Sequence, residues 1–425
     1  MAVEIDERHY TVPASVARVG SLALVVGAVA LVAGVAIAAV SSGGTLRGFG
    51  EAFWRPYLVA YVLWAGVAVG SMAIMMLHHL SGGGWGVVLR RLFEAATRTW
   101  PLVVILFLPI AVATVTRTLY PWTMPEHMTA HAIEHKKFYL NIPFFLARAA
   151  FYFAVWFVLQ YFLNKWSIKQ DFEDDPRVRR RLRERMQSVS GPGIVLFGLT
   201  VTFAGIDWVM SLEPEWFSTI YGLLIMAGWG LTSLAFMILA AVWLRGHAPL
   251  EHVYQPRHFH DHGKLLLAFV MIWAYFSFSQ YLIIWAGNLP EEIPWYLRRT
   301  QHGWGYVAVA LVVLHFALPF VLLLSRDLKR TARLLSLVAL LVFLMRVVDL
   351  FWTIAPSIKA AEHGAGQAAN HGPSAVVGYA LSFILPVGVG GIWVWYFSRE
   401  LRKRPLLPLG DEGLDAALEQ NGGHH

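Results

Sequence analysis

Ten apolar segments constrain the fold of this chain more than any other feature of its sequence. An α-helix needs about 20 apolar residues to cross the hydrocarbon core of a bilayer, and most of the segments have that length. Their ranges are 19–40, 57–77, 101–115, 142–163, 191–212, 219–244, 265–286, 303–324, 332–355 and 376–397. The third is the shortest, and we expect its helix to begin earlier, near Glu94. The sequence therefore predicts an all-α integral membrane protein with ten transmembrane helices.

The chain has few charged residues with which to cover a water-facing surface. Charged residues make up 14% of it and hydrophobic residues 57%, whereas about 25% of the residues in a soluble domain are charged. The mean hydropathy of +0.54 agrees with a chain that is solvated by lipid. The net charge of +7 does not indicate a nucleic-acid site, because the basic residues flank the apolar segments instead of forming a soluble module. We therefore expect lipids, and no nucleic acid, as partners.

Lysine and arginine residues are distributed unevenly between the two sides of the predicted membrane. Loops on the side of the N-terminus hold 24 of the 34, the opposite loops hold 8, and Arg148 and Arg346 lie within apolar segments. Cytoplasmic loops carry the excess of basic residues in membrane proteins. We therefore expect both termini in the cytoplasm. The basic stretch 165–185 and the histidine-rich stretch 257–263 are expected to be solvated inner loops.

The absence of cysteine limits the redox chemistry of the chain. It excludes thiolate-ligated iron–sulfur clusters, covalently attached haem c and disulfides. Haem b between two histidines needs a matched pair of deep histidines on facing helices, and only His315 lies deep in a predicted span. We therefore expect no haem or iron–sulfur cluster in this chain, and no redox centre of its own. Electrons must travel on a diffusible carrier or through a partner.

A first polar group is predicted near the outer ends of the fourth and fifth spans. Arg148 and Asp207 lie at similar depths in two consecutive antiparallel spans, so their side chains can pair. Ionisable groups are costly in a bilayer and often functional, which leaves a structural tie and a ligand or proton site as alternatives. The outer loop between these spans begins at Arg117 and holds three histidines at helical spacing: His127, His131 and His135. These histidines indicate a solvated helix, a group that exchanges protons near a quinol, or, least of all, a zinc site.

A second polar group is predicted in the later spans. Arg346 and Asp349 are three residues apart and share one face of the ninth span. Gln280 lies at comparable depth in the seventh span, and His315 lies near the middle of the eighth. An internal salt bridge and a proton relay are both open interpretations. A relay would begin at the inner side with His78 and His79, at the end of the second span. No metal site is expected in either group.

Four stretches of the sequence resemble a known family. They are MLHHLSGGGWG (76–86), KKFYLNIPFFLARAAFYF (136–153), GIDWVMSLEPEWFSTIYG (205–222) and LLAFVMIWAYFSFSQYLIIWAGNLPEEIPWY (266–296). They are similar to the ActF-type, NrfD-like membrane subunit of alternative complex III, a bacterial quinol:electron acceptor oxidoreductase. The resemblance covers spans two to eight.

The resemblance implies an architecture and a set of partners. Spans two to five and six to nine would form two four-helix bundles, with spans one and ten at their flank. The partners would be a paralogous NrfD-like subunit, multihaem cytochrome c subunits, an iron–sulfur subunit and small membrane subunits, in a bacterial inner membrane. The implied division of the chain is 1–18 (cytoplasmic segment), 19–56 (first span and outer loop), 57–212 (first bundle), 213–355 (second bundle), 356–397 (outer loop and tenth span) and 398–425 (cytoplasmic tail).

The leading hypothesis for function follows from this resemblance. The chain would be a subunit of a quinol oxidoreductase, with menaquinone or ubiquinone as the cofactor. A quinone or proton site in the first bundle would use residues near the outer face: Asp207, Arg148, His131, His135 and Arg117. A proton path would use residues of the second bundle and the inner side: Asp349, Arg346, Gln280, His315, His78 and His79. The alternatives are a secondary transporter and a ligand-free scaffold that holds the cytochrome c and iron–sulfur subunits.

Overall fold

The chain is described by a computed structural model that covers residues 12–124, 136–356, 373–411 and 413–414. These residues form fifteen α-helices and no strand. The helices are α1 (Ala14–Ser41), α2 (Leu46–Ser81), α3 (Val87–Thr97), α4 (Trp100–Val115), α5 (Ile142–Asp171), α6 (Pro176–Trp208), α7 (Tyr221–Leu244), α8 (Leu250–Val253), α9 (Pro256–Gly287), α10 (Ile293–Thr300), α11 (Trp304–Ala310), α12 (Leu318–Leu324), α13 (Arg326–Arg330), α14 (Ala332–Ile354) and α15 (Pro373–Leu401). A π-helical segment, Leu311–Ala317, joins α11 to α12. The predicted all-α fold is confirmed.

The described helices are long and apolar enough for a multi-pass membrane protein. Nine spans, counting α11 to α12 as one, pass by length and hydropathy. The pair α3 and α4 passes as a tenth only when its two helices are taken together, because they meet at a bend of 44°. The third span thus begins at Val87, earlier than the expected start near Glu94. The count of ten spans and the side of the termini stay predictions. We call the side on which α2 and α5 end the inner side, and the opposite side the outer side.

Helix α2 lies at the centre of the structure. Of its most apolar window, 94% is buried, against 17% for α1. It contacts α4, α6, α7, α14 and α15. Helix α1 packs mainly on α15. Helices α5 and α6 pack together, and α7 packs on both α9 and α14. Helix α2 therefore connects the helices α3 to α6 with the helices α7 to α14. Helix α1, in contrast, leaves much of its surface for lipid.

Two glycines of α2 bring it close to α7. A Cβ atom at Gly66 would collide with the ring of Trp229, and one at Gly70 would collide with the backbone carbonyl of Trp229. Small residues four apart let transmembrane helices approach closely. Next to them, Ser71 and Ser233 share a hydrogen bond of 2.7 Å across the same contact. The contact between the two sets of helices is therefore tight, as the Gly66–Gly70 spacing predicts.

The expectation of two solvated inner loops is wrong in different ways. The stretch 257–263 forms the first turns of α9, which begins with Pro256 and a capping box between Gln255 and His258. His258 and His262 are buried, and the His262 ring bonds to the Tyr254 hydroxyl at 2.9 Å and the Trp85 carbonyl at 2.6 Å. The stretch 165–185 is mostly exposed, but α5 and α6 extend through it and leave only residues 172–175 between them.

Candidate functional site

The outer cluster consists of Arg148, Asp207, Tyr152 and Tyr139. The Arg148 guanidinium donates two hydrogen bonds of 2.8 Å to the Asp207 carboxylate, and the Tyr152 hydroxyl donates one of 2.7 Å. Arg148 also donates to the Tyr139 carbonyl at 2.9 Å, and its guanidinium lies 3.8 Å from the centre of the Tyr139 ring. The predicted contact between the fourth and fifth spans is therefore present.

Asp207 is fully sealed within the outer cluster. Its exposed fraction is 0%, and both of its carboxylate oxygens already accept hydrogen bonds. A carboxylate that binds a ligand or takes up a proton needs an oxygen that the ligand or water can reach. The geometry favours the structural tie over the ligand site for this pair. Arg117 does not join the outer cluster, because it is exposed beyond the end of α4. His127, His131 and His135 lie outside the described residues.

A hollow of about 470 Å³ opens beside the outer cluster. Its walls are Lys137, Phe138, Asn141 and Phe144. The Phe144 ring also lies 4.4 Å from the guanidinium of Arg148, so it connects the hollow to the outer cluster. Two aromatic walls fit a flat ring, but the Asn141 amide already donates to the carbonyls of Lys137 and Phe138. The hollow offers stacking and the Lys137 ammonium, with no carboxylate among its described walls.

The central cluster consists of His315, Trp273, Arg346 and Asp349. The Arg346 guanidinium is bonded to the Asp349 carboxylate, which also accepts a hydrogen bond of 3.1 Å from the Trp273 indole. The ring of His315 packs edge-on against Trp273, with 4.2 Å between ring centres. Room for the Arg346 side chain comes from Gly228 of α7, where a Cβ atom would collide with the guanidinium. Three of the predicted relay residues therefore lie together.

His315 is buried without a hydrogen bond. Its exposed fraction is 0%, and neither ring nitrogen has a hydrogen-bond partner among the described residues. Two nitrogens of the neighbouring Arg346, Nε and Nη2, are also buried without one. Most buried polar atoms are bonded, and each exception needs an explanation. His315 also lies in the π-helical segment Leu311–Ala317, a feature that occurs frequently at functional sites. The central cluster is thus the best candidate for a group that exchanges protons.

Gln280 lies apart from the central cluster in its bonding. Its side chain accepts a hydrogen bond of 3.2 Å from Ser218 and reaches the Tyr296 hydroxyl at 3.5 Å. Ser218 lies in the connection before α7, and Tyr296 lies in α10, which follows α9. Neither partner belongs to α14. Depth along a span predicted its level, but depth does not fix the direction in which a side chain points.

An outer triad of Glu213, Arg298 and Arg299 was not predicted. Arg299 is buried and donates to the Glu213 carboxylate at 2.7 Å and to the Thr353 carbonyl at 2.7 Å. Arg298 is bonded to the other Glu213 oxygen. The two arginines lie in the last turn of α10, and their adjacent position after an apolar stretch was the available signal. Tyr221 is buried within electrostatic range of Glu213, Arg299 and Arg346.

The outer triad predicts a loss of stability at acidic pH. Burial raises the pKa of the Glu213 carboxyl, but Arg299 and Arg298 outweigh it and hold the pKa below its ordinary value. A lowered pKa stabilises the fold above the pKa of the unfolded chain, and this contribution is lost as the pH falls through the folded value. We expect the thermal midpoint to fall with pH below about 4.3, the ordinary glutamate pKa. In Glu213→Gln the fall over this range should be smaller; an unchanged pH profile would contradict the assignment.

The inner network is the second group that was not predicted. Glu94 of α3 is buried and bonded to Arg90 at 3.1 Å, to Arg91 and to Ser167 of α5. Arg91 is also bonded to Asp171, and Arg90 to Asp411. Arg90 and Arg91 were assigned to a basic inner loop, but they are buried in α3 because carboxylates from three parts of the chain surround them.

His78 and His79 lie beside the inner network rather than in the central cluster. Both line a cavity of about 420 Å³ on the inner side. His78 Nδ1 and His79 Nε2 are buried without a hydrogen-bond partner among the described residues. Among all the residues that the structure describes, no three His, Asp or Glu side chains are grouped so that they could hold a metal ion.

No protein-family model matches the chain, and no curated protein matches it. The similarity to the alternative complex III subunit therefore stays a prediction, and function has to be argued from the geometry.

Proposed function

We propose that the chain is a membrane subunit of a quinol:electron acceptor oxidoreductase and that its own task is to carry protons. The observation that supports this proposal best is the buried His315 beside the Arg346–Asp349 ion pair, because neither of its ring nitrogens has a hydrogen-bond partner in the described part of the chain. A structural tie needs only the ion pair. An imidazole left unbonded next to it costs free energy without adding to the tie. An imidazole ring has one nitrogen that can accept a proton and one that can donate it, which makes histidine suited to proton exchange.

The proposed route leads from the central cluster towards the outer side. Asp349 and His315 are the proposed proton-exchanging groups, because both lie against Trp273 and the segment that holds His315 packs on α14. Outward, Tyr221 lies within electrostatic range of both Arg346 and Glu213, and Glu213 is the next acidic group on the proposed route. Inward, the polar pair Ser71–Ser233 lies in the α2–α7 contact, and α2 then leads to His78 and His79. This route contains five of the six predicted relay residues and replaces the sixth, Gln280, with Tyr221 and Glu213.

The quinol part of the proposal rests on the family resemblance. The hollow at Phe138 and Phe144 is the candidate for the ring, because aromatic walls favour stacking. A bound quinol would supply electrons and protons to the complex. Menaquinone or ubiquinone is the cofactor proposed, with the cytochrome c, iron–sulfur, paralogous and small membrane subunits as partners in a bacterial inner membrane. With no cysteine in this chain, the electron carriers belong to those partners.

The central cluster can be tested with Asp349→Asn and His315→Phe in the complex isolated from native membranes. We expect proton translocation per quinol oxidised to fall about tenfold or more in both variants, since positioned acid–base groups contribute at least that much. Quinol oxidation itself should continue in uncoupled vesicles. Asp327→Asn, at an exposed carboxylate of α13, is the matched control. Unchanged proton translocation in both variants would overturn the proposed role.

A secondary transporter is the alternative from another class. Transporters of that kind carry breaks at corresponding positions of their two halves. The described chain has a bend between α3 and α4 and a π-helical segment between α11 and α12, in the third and eighth spans. Spans in corresponding positions of two four-span halves would be the third and seventh. Gentle purification separates the two proposals: haem c and iron–sulfur proteins should co-purify, whereas a transporter would be isolated alone.

A further inference from the structure

A cluster of basic residues lies on the inner side, around the short helix α13. This helix joins α12 to α14 and packs on α9. We call its cations, together with one lysine from α9, the basic cluster: Lys264, Arg326, Lys329 and Arg330. His260 of α9 lies within electrostatic range of three of them: Lys264, Lys329 and Arg326. The packing of α13 on α9 therefore brings charges from two parts of the chain together.

Lys329 is held at a fixed position within the basic cluster. Its exposed fraction is only 7%, and its stem lies on Gly263 of α9, where a Cβ atom would be 2.6 Å from the Lys329 Cγ. Burial and the nearby Lys264 both lower the pKa of its ammonium group. Among the described residues, no carboxylate forms an ion pair with Lys329. A buried cation of this kind favours an anionic ligand, because buried charges need a counter-charge.

The carboxylates described in this region are fewer than the cations. Asp261 of α9 is paired with Lys264 at 3.2 Å, and both side chains are exposed. Asp327 is exposed on α13. In the described part of the chain, the four cations of the basic cluster thus outnumber these two carboxylates. The region keeps positive charge around Lys329.

Exposed apolar side chains continue from the basic cluster along the neighbouring spans. Val321 and Leu324, at the end of α12, have exposed fractions of 62% and 56%. Leu334 and Leu337, at the start of α14, have exposed fractions of 43% and 54%. Both helices belong to spans by length and hydropathy, so lipid chains can cover these side chains. A ligand that joins an anionic group to apolar chains would match both surfaces.

We propose that the basic cluster binds the phosphate of an anionic phospholipid, with the Lys329 ammonium as its principal ligand. The other three cations surround the headgroup, and the acyl chains lie along Leu324 and Leu334. Basic residues at the membrane surface attract anionic lipids, and the contact with Gly263 distinguishes this site from a solvated basic loop. The proposed proton route and the hollow beside the outer cluster contain none of these residues, so the site is independent of the proposed function.

Native mass spectrometry of the full chain in detergent can test the site with three probes: phosphatidylglycerol, phosphatidylcholine and inorganic phosphate. We expect one phosphatidylglycerol to bind, and the other two to bind at least about tenfold more weakly, because one lacks a net negative charge and the other lacks acyl chains. Lys329→Met keeps an apolar stem on Gly263 and should lower the affinity for phosphatidylglycerol about tenfold. Lys165→Met, at an exposed lysine near the inner end of α5, removes the same charge and is the matched control.

A second variant tests the position of Lys329 without any change of charge. In Gly263→Ala the new Cβ atom would displace the Lys329 stem, so phosphatidylglycerol should bind more weakly while the chain elutes as the wild type does. Equal affinity of the wild type, Lys329→Met and Gly263→Ala would overturn the proposal. Phosphatidylcholine or inorganic phosphate bound as tightly as phosphatidylglycerol would also overturn it. So would an equal loss in Lys329→Met and Lys165→Met, since net charge alone would then decide binding.

Discussion

Replacing Glu94 with alanine is expected to lower the free energy of unfolding by about 3–5 kcal/mol, because it leaves buried arginines without their shared carboxylate. Arg90 and Arg91 have exposed fractions of 2% and 1%, so water cannot take the place of Glu94. Arg404 also reaches the same carboxylate, at 3.5 Å. The remaining partners Asp171 and Asp411 hold one arginine each, which limits the loss but does not restore the centre of the inner network.

The measurement is reversible unfolding of the purified chain in mixed micelles, with Glu184→Ala as the matched control. Glu184 is also paired with an arginine one turn away, at 3.1 Å, but both side chains are mostly exposed. Exposed pairs contribute about 0–1 kcal/mol, so the control should unfold almost as the wild type does. Equal stability of the two variants would show that the inner network does not hold α3 in place.

The second large effect concerns the outer cluster. Asp207→Asn is expected to lower the free energy of unfolding by about 3–5 kcal/mol, since the buried Arg148 then lacks its counter-charge. The triple variant Arg148→Met/Tyr152→Phe/Asp207→Leu removes the charges together with the tyrosine hydroxyl. Apolar replacement of a whole buried ion pair is often neutral or stabilising. We therefore expect the triple variant to recover most of the lost stability.

The same triple variant separates the two interpretations of the outer cluster. If Arg148 and Asp207 form a structural tie, the complex that contains the variant should keep its quinol oxidation. A stable complex without quinol oxidation would instead assign these residues to the quinol site and contradict the sealed geometry of Asp207. A variant that keeps Arg148 but lacks Asp207 cannot separate the two interpretations, because an unpaired buried arginine destabilises the fold by itself.

The sequence predicted the features that depend on composition and local spacing. Apolar runs located the helices, and matched depths in antiparallel spans were enough to pair Arg148 with Asp207, 59 residues apart. Arg346 and Asp349 pair within one helix face. These relations follow from helix periodicity and from the length of a span, which are both readable along the chain.

The sequence did not predict features that depend on distant contacts. Arg90 and Arg91 look like basic loop residues, and only partners 80 and 321 residues away make their burial tolerable. The sealed position of Glu213 depends in the same way on arginines 85 and 86 residues away. Gln280 was grouped with Arg346 and Asp349, but its side chain bonds to Ser218 and Tyr296 instead, because rotation of one helix against another is set by packing. Such contacts leave no periodic signal in a single sequence.

The bond between Arg90 and Asp411 has a consequence for biosynthesis. The two residues are 321 positions apart, and Gly410 next to Asp411 donates to Asp171 of α5. A ribosome that has just delivered α3 to the membrane still has to translate all the later spans before Asp411 emerges. Until then, Arg90 lacks one of its counter-charges and α3 lacks part of its inner cover. The bond between Arg90 and Asp411 can therefore form only after all the later described spans have been translated, so the inner cover of α3 is completed late in synthesis.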